Sequence, residues 1–227
     1  MTTYTKSFPG APTSGLYAFG DIVTDSLGVR WQCVEAGIPG KFAPTFFSAA
    51  SLPGAVVGTG IVAEEYGSGT FHFTKLTLTA KEVTVTDALA YGSTQLYDFP
   101  EGRFLILGGM ASLTLAVPAP QVRADTINDN STVDWALGTV AASNVALTGT
   151  MVDLVAIANE AAFAATGNGF GTAATAVLAS SAVFDGTATP KDMFLNFGFS
   201  DATDIDADAI ISVSGTISVV WVMVGDF

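Results

Sequence analysis

AIISVSGTISVVWVMV, residues 209–224, is the most apolar stretch of the chain, and its reading decides the fold class. It is shorter than the roughly 20 residues that a membrane-spanning helix needs. Ser212, Ser214, Thr216 and Ser218 occupy every second position and alternate with Ile211, Val213, Ile217 and Val219. A period of two gives a strand with one face less apolar than the other. The same texture continues outward. Leu76, Leu78 and Ala80 alternate with Thr77 and Thr79, and Val83 and Val85 with Thr84 and Thr86. Leu113, Leu115 and Val117 alternate with Thr114 and Ala116, while the run 103–107 is ended by Gly108-Gly109. Further strand-like runs lie at 133–139, 145–148, 176–184 and 193–199. Turn signals separate them at Asp98-Phe99-Pro100-Glu101-Gly102, at Asp185-Gly186 and at 201–208. Many short strands spaced in this way predict an all-β body over 61–227, an antiparallel β-sandwich of jelly-roll type.

One segment departs from the pattern. Residues 151–165 are Ala-rich, and Thr150 is followed three positions later by Asp153, a capping-box signature. This predicts at most one short helix, near Val152–Asn159, stopped by Gly167-Asn168-Gly169.

Residues 1–60 have another texture. Residues 1–14, rich in Thr, Pro and Gly, read as a loose arm. Residues 15–42, GLYAFGDIVTDSLGVRWQCVEAGIPGKF, read as a small β-hairpin module. Its first strand is Ile22-Val23-Thr24 and its turn is Asp25-Ser26-Leu27-Gly28. Its second strand sets Val29, Trp31 and Cys33 on one face and Arg30, Gln32 and Val34 on the other. An isolated hairpin is marginal in water, so the Trp31 face needs a neighbour to cover it. Residues 46–60 read as a linker. The expected organisation is an N-terminal attachment module over 1–60 and a sandwich body over 61–227.

The chain has 227 residues, 49% of them hydrophobic and only 13% charged, with a net charge of −13. That is enough apolar material for a core and too much for a disordered chain. Residues 1–124 carry 9 acids and 7 bases, whereas 125–227 carry 12 acids and the single base Lys191. A body this acidic repels phosphate backbones and anionic membrane surfaces, so neither nucleic acid nor membrane is an expected partner. The opening residues Met1–Lys6 hold no apolar run of the secretory kind. One cysteine, Cys33, rules out an intramolecular disulfide framework, and one histidine, His72, rules out a multi-His metal site within one chain.

Each candidate for chemistry has a plainer reading beside it. His72, between Phe71 and Phe73, is the one base a Ser-His-Asp triad could use, but no G-x-S-x-G elbow accompanies it. It reads as a surface or interface histidine on a strand. Asp201, Asp204, Asp206 and Asp208 form the densest acidic cluster, and 204, 206 and 208 have the spacing that opens an EF-hand loop. Ala209 stands where the loop needs Gly and Gly215 where it needs Glu. The cluster therefore reads as a solvated loop, with a Ca2+ site of another kind as the alternative. Glu64-Glu65, beside Tyr66, are adjacent on a strand and point to opposite sides, which a glycosidase pair cannot do. Cys33 shares an apolar face with Trp31 and reads as structural, since a reactive thiol needs nearby positive charge. Trp31, Tyr17 and Phe19 lie in one small module and could offer a sugar-stacking platform if exposed; Trp135 and Trp221 lie elsewhere. No catalytic, cofactor-binding or metal-binding residue is assigned, and the chain is not expected to be an enzyme.

Three stretches carry a resemblance. They are VTVTDALAYGSTQLYDFPEGRFLILGGMASLTLAV (83–117), DWALGTVAASNVALTGTMVDLV (134–155) and FDGTATPKDMFLNFGFSDATDIDADAIISVSGTISVVW (184–221). Together they resemble virion structural proteins of tailed bacteriophages, of the capsid decoration (cement) or head-fibre kind. The shared text is strand and turn text: T-V-T-D, D-F-P-E-G, A-L-G-T, L-T-G-T, D-G-T-A-T-P-K-D and V-S-G-T-I. The resemblance implies a structural protein that binds and stabilises the outer shell as a symmetric oligomer, a homotrimer by preference. Its implied partners are the major capsid protein and neighbouring copies of itself. Its implied place is the virion, assembled in the host cytoplasm. Residues 15–42 are also similar to the small G-D-I-V-x-D-x-x-G-x-x-W-x-C modules of phage tail-fibre and spike proteins. That similarity implies a second reading, a tail or head fibre component that binds host-surface glycan.

Overall fold

The computed structural model describes residues 2–7, 11–26, 30–44, 52–68, 70–87, 89–117, 133–159, 173–175, 183–199, 205 and 207–225. The chain forms two compact units, one of Met1–Ser51 with Glu65–Phe73 and the other of Leu52–Glu64 with Thr74–Phe227.

The first unit holds a four-stranded sheet in the order β1 (Thr3–Thr5), β2 (Ile22–Thr24), β3 (Arg30–Glu35), β4 (Lys41–Pro44). β2 and β3 form the expected antiparallel hairpin, with Val23 opposite Trp31. β4 continues the sheet beyond β3, placing Phe42 opposite Cys33. The expected loose arm is corrected in part: Thr3–Thr5 pairs in parallel with β2, Thr3 opposite Ile22. All three β1 side chains are exposed, so the strand leaves no apolar period in the sequence. What holds it is backbone pairing, the Thr2 N–H donated to the Asp21 carboxylate at 2.8 Å, and the edge of Tyr4 against Tyr17. Ile22, Val23 and Cys33 are buried beneath.

The second unit is an all-β sandwich. Its strands are β5 (Ala55–Val56), β6 (Ile61–Ser68), β7 (Phe71–Val85), β8 (Tyr91–Asp98), β9 (Gly102–Ala116), β10 (Val133–Gly138), β11 (Val155–Asn159), β12 (Ala173–Thr175), β13 (Val183–Gly186), β14 (Asp192–Phe199) and β15 (Ala209–Gly225). Residues 65–68 of β6 and 71–73 of β7 fall in the first unit. One sheet runs β11-β10-β14-β8-β5, the other β12-β9-β15-β7-β6, with β13 also pairing β9. Most residues expected to point inward do so: Leu76, Leu78, Val83 and Val85 of β7, and Ile211, Val213, Ile217 and Val219 of β15, share one core with Trp221 and with Leu195, Phe197 and Phe199 of β14, whereas Ala80, at φ +47°, is exposed. The turn residue Phe99 is buried too, 4.6 Å between ring centroids from Phe104 and 5.5 Å from Trp221. The Trp221 Nε1–H donates to Thr74 Oγ1 at 2.9 Å, so the ring is buried without losing its polar partner.

Several expectations need correction. The runs at 76–80 and 83–86 are one strand, and so are those at 103–107 and 113–117. Gly108-Gly109 marks a bulge instead of an end: Val220 faces Gly108 and Trp221 faces Ile106, so Leu107 has no partner of its own on β15. The run at 145–148 is not a strand, and the helix near Val152–Asn159 is absent. In its place are a single 3-10 turn, Gly149–Met151, and β11 paired with β10. Asp153 caps no helix. Its carboxylate accepts the Thr139 N–H and the Thr139 hydroxyl, each at 2.7 Å. Burial pushes the Asp153 carboxyl up, and these bonds oppose that shift.

Segment 139–154 instead covers the outer face of β10 and β14, with Ala136, Leu147 and Met151 as a small second cluster. This explains why the last five residues of β14 are buried with no alternation. Gly138 and Gly198 allow the approach, since a Cβ at either would run into backbone of Met151 or Val145. The polar tie is Asn196, fully buried: its Oδ1 accepts the Ala142 N–H at 2.8 Å, and its Nδ2 donates to the carbonyls of Val140 at 3.0 Å and Met151 at 2.8 Å.

Of the expected linker 46–60, residues 46–51 lie outside the described residues, and Ala55–Val56 adds an edge strand to β8. Most of the acidic loop 201–208 and the run 176–182 also lie outside them.

One cross-strand pair is electrostatically unfavourable. Asp192 of β14 stands opposite Asp98 of β8. Desolvation and then the Asp98 charge hold the Asp192 carboxyl above its ordinary value. A raised carboxyl binds its proton more tightly in the folded state. Its contribution is therefore favourable in acid and is lost as pH rises from the ordinary value, near 3.8, through the raised one. Asp192→Asn is expected to raise stability at pH 7 by about 0.5 kcal/mol, the scale of a like-charge cross-strand pair. The gain should vanish at pH 3 in urea titrations of both proteins.

Candidate functional site

The first unit presents the most exposed large apolar side chains among the described residues. Leu16 is 72%, Phe19 74% and Ile38 78% exposed. Tyr17 and Gly37 form an antiparallel bridge through two backbone hydrogen bonds, which sets Leu16 opposite Ile38. Tyr17 packs edge-on between Tyr4 and Phe42, with centroids 5.4 and 5.0 Å away, so this ring row ties β1, the bridge and β4 together.

Phe19 tops a tight turn. The Asp21 N–H donates to the Ala18 carbonyl at 3.1 Å, and Gly20 has φ +86°, the left-handed conformation that glycine supplies at the third position of a type II turn. The Gly20 N–H donates to the Cys33 carbonyl at 2.8 Å, fixing the turn to β3. The buried Asp21 carboxylate accepts N–H bonds from Thr2 at 2.8 Å and Ala18 at 3.0 Å. Those two donors, in that order, hold its carboxyl below the ordinary value. Asp21 thus braces the turn and the N-terminal strand at once.

The other candidates fall out differently. Trp31 is half-buried, and its Nε1–H donates to the buried Asp25 carboxylate at 3.1 Å. Trp135 and Trp221 are core residues with no exposed ring. The exposed aromatic of the module is Phe19. Cys33 is a buried free thiol, its Sγ 3.2 Å from the Glu35 carbonyl.

Glu64 and Glu65 do point to opposite sides. Glu64 pairs with Lys75 at 2.7 Å on the exposed side. Glu65 is buried, and the His72 Nδ1–H donates to its Oε1 at 2.9 Å. His72 is accordingly not a surface histidine; it is 9% exposed and packs in the hairpin with its acid. The correction has a simple cause: in the alternation of β7 the side chain at 72 falls on the buried side, and a buried imidazole needs a polar partner, which Glu65 supplies. Sequence reading treated the two residues separately, though they flank the turn signal Gly67-Ser68-Gly69 almost symmetrically.

Of the acidic cluster, Asp208 is described, and its Oδ1 accepts the Asp87 N–H at 2.8 Å. Asp201, Asp204 and Asp206 lie outside the described residues. Among the described residues, no group of three or more His, Cys, Asp or Glu side chains could hold a metal ion, and no helix is long and apolar enough to cross a membrane. Comparison with protein-family models, with curated proteins and with solved structures finds no match to this chain.

Proposed function

We propose that the chain is a non-enzymatic structural protein of a phage virion, a capsid decoration protein that binds the outer shell in many copies as a symmetric oligomer. The observation that carries this reading is the division of labour between the units. The second is a sandwich around one core, with the outer face of β10 and β14 covered by segment 139–154 and tied there by the hydrogen bonds of buried Asn196. The first is small, and its residues 1–51 are balanced in charge, with Lys6, Arg30 and Lys41 against Asp21, Asp25 and Glu35. It bears Leu16, Phe19 and Ile38 in the open. Interface cores are depleted of charge and enriched in aromatic side chains, which is the character of that surface. The resemblance of the strand and turn text to decoration proteins supports the same reading. Repetition over a symmetric shell lets modest contacts hold firmly, so no single tight site is required.

Three copies is the oligomer we propose, with the major capsid protein and neighbouring copies as partners. Quantitative mass spectrometry of purified particles tests the reading. A decoration protein stands in near-stoichiometric ratio to the major capsid protein. A handful of copies per particle would contradict decoration and favour a fibre that meets host glycan.

A further inference from the structure

We infer that Met1 is removed by a methionine aminopeptidase and that the freed Thr2 α-ammonium pairs with the Asp21 carboxylate, fastening β1 to β2. This goes beyond the decoration reading and does not depend on it.

The first argument is geometry. The Thr2 nitrogen stands 2.8 Å from Asp21 Oδ1. Thr2 is held there from its other end, because the Ile22 N–H donates to the Thr2 carbonyl at 2.9 Å and Thr3 pairs with Ile22. The place of that nitrogen is therefore set by β2 and not by the residue before it. An ammonium at the same place keeps the contact and turns a neutral donor into a charge-assisted one.

The second argument is charge. Asp21 is 4% exposed, and the N–H donors of Thr2 and Ala18 hold its carboxyl below the ordinary value of 3.8, so it is ionised at neutral pH. Charges withdrawn from water are normally paired. Among the described residues no Lys, Arg or His side chain pairs with Asp21. The other titratable groups on the elements around it are engaged elsewhere. Lys6 donates to the Ala11 carbonyl, and the Cys33 thiol lies on the Glu35 carbonyl. Glu35 pairs with Lys41, and Asp25 accepts the Trp31 indole N–H. Tyr4 and Tyr17 pack on each other, and Arg30 is exposed at the end of β3 that faces Thr24. The α-ammonium of Thr2 is the cation that this carboxylate is placed to meet.

The third argument is the sequence. Met1 is followed by Thr2, and a leading methionine is removed when the second side chain is small. The step is a hydrolysis. Water adds to the Met1 carbonyl, the C–N bond to Thr2 breaks, methionine leaves with the new carboxylate, and the Thr2 nitrogen takes up the protons.

The test compares the full-length chain made in cells with the aminopeptidase active and with it inhibited, so that Met1 stays. Intact mass spectrometry of the first is expected to show the loss of one methionine. Its α-amine, carbon-13 methylated, is then followed by NMR against pH. An amine beside a carboxylate keeps its proton to higher pH. It should titrate at least about one pH unit above the same amine in the urea-unfolded chain, and the difference should disappear in Asp21→Asn. A group held in this way contributes stability that is whole below its unfolded value and is lost as pH rises through the folded one. The processed chain should therefore have the higher urea midpoint at pH 7, and the two forms should converge above about pH 10. Asp21→Asn should abolish the difference at pH 7, whereas a merely structural brace would weaken both forms equally and leave the pH dependence unchanged. Near-UV circular dichroism confirms folding, and if Asp21→Asn does not fold, the two wild-type forms carry the test by themselves. Met1 retained with the aminopeptidase active overturns the inference. So does a Thr2 amine that titrates in the folded chain as it does in urea. Neither result touches the decoration reading, which the copy number on particles decides.

Discussion

Asn196→Ala is expected to destabilise the sandwich by about 3 kcal/mol, because three hydrogen bonds are lost at a buried site and their partners are left in place. The Ala142 N–H and the Val140 and Met151 carbonyls all converge on this one side chain. Segment 139–154 should come away from β10 and β14, so the loss would appear first as faster hydrogen exchange at Thr139, Ala142 and Leu154 and then as a lower urea midpoint. Asn196→Asp separates hydrogen bonding from packing. It keeps the acceptor for Ala142 but sets a carboxylate against two carbonyl oxygens. At pH 7 it should be at least as damaging as alanine. Its deficit should shrink as pH falls and the carboxyl gains a proton to donate. A deficit below about 1 kcal/mol for both variants, the worth of one ordinary hydrogen bond, would show that the segment is held by Leu147 and Met151 alone.

His72→Leu is expected to cost about 3 kcal/mol, locally to the first unit. The Glu65 carboxyl has no exposed surface, and removing its histidine strips a buried acid of its ring donor. Replacing both partners is a different matter, because a buried polar pair exchanged for apolar side chains of similar volume is often close to neutral. The double variant Glu65→Leu/His72→Leu should therefore be more stable than His72→Leu alone. Urea titration of the four proteins of this cycle gives the coupling directly, and additive effects would contradict a functional pairing of the two side chains.

The strands that could be read from the sequence are those whose two faces differ. β15 shows its hydroxyl and aliphatic alternation because Ser214 is exposed while Val213 and Ile217 are buried. β14 could be placed but not understood. Its outward residues Asn196 and Gly198 look like a solvent face, and nothing local announces that segment 139–154 will cover them. The same segment misled in the other direction. Val145 and Leu147 alternate as a strand would, and Thr150 with Asp153 imitates a helix start. Tertiary contact decides both, since Leu147 packs on β10 and Asp153 is committed to Thr139. β1 was illegible because an edge strand held by its backbone needs no apolar side chains. In the candidate surface, the grouping of Tyr17, Phe19 and Trp31 was readable, but not which ring stays outside. That depends on Asp25 capturing the Trp31 indole and on Gly20 and Asp21 turning Phe19 outward.

The central claim is that this protein decorates a shell and meets it through its first unit. The most direct measurement is a cryo-electron microscopy reconstruction of shells incubated with the full-length chain. The account predicts repeated density over the outer shell surface, with the four-stranded sheet of residues 3–44 in contact with the capsid protein. Density confined to the tail, or a shell contact made by the sandwich with the four-stranded sheet facing solvent, would contradict it.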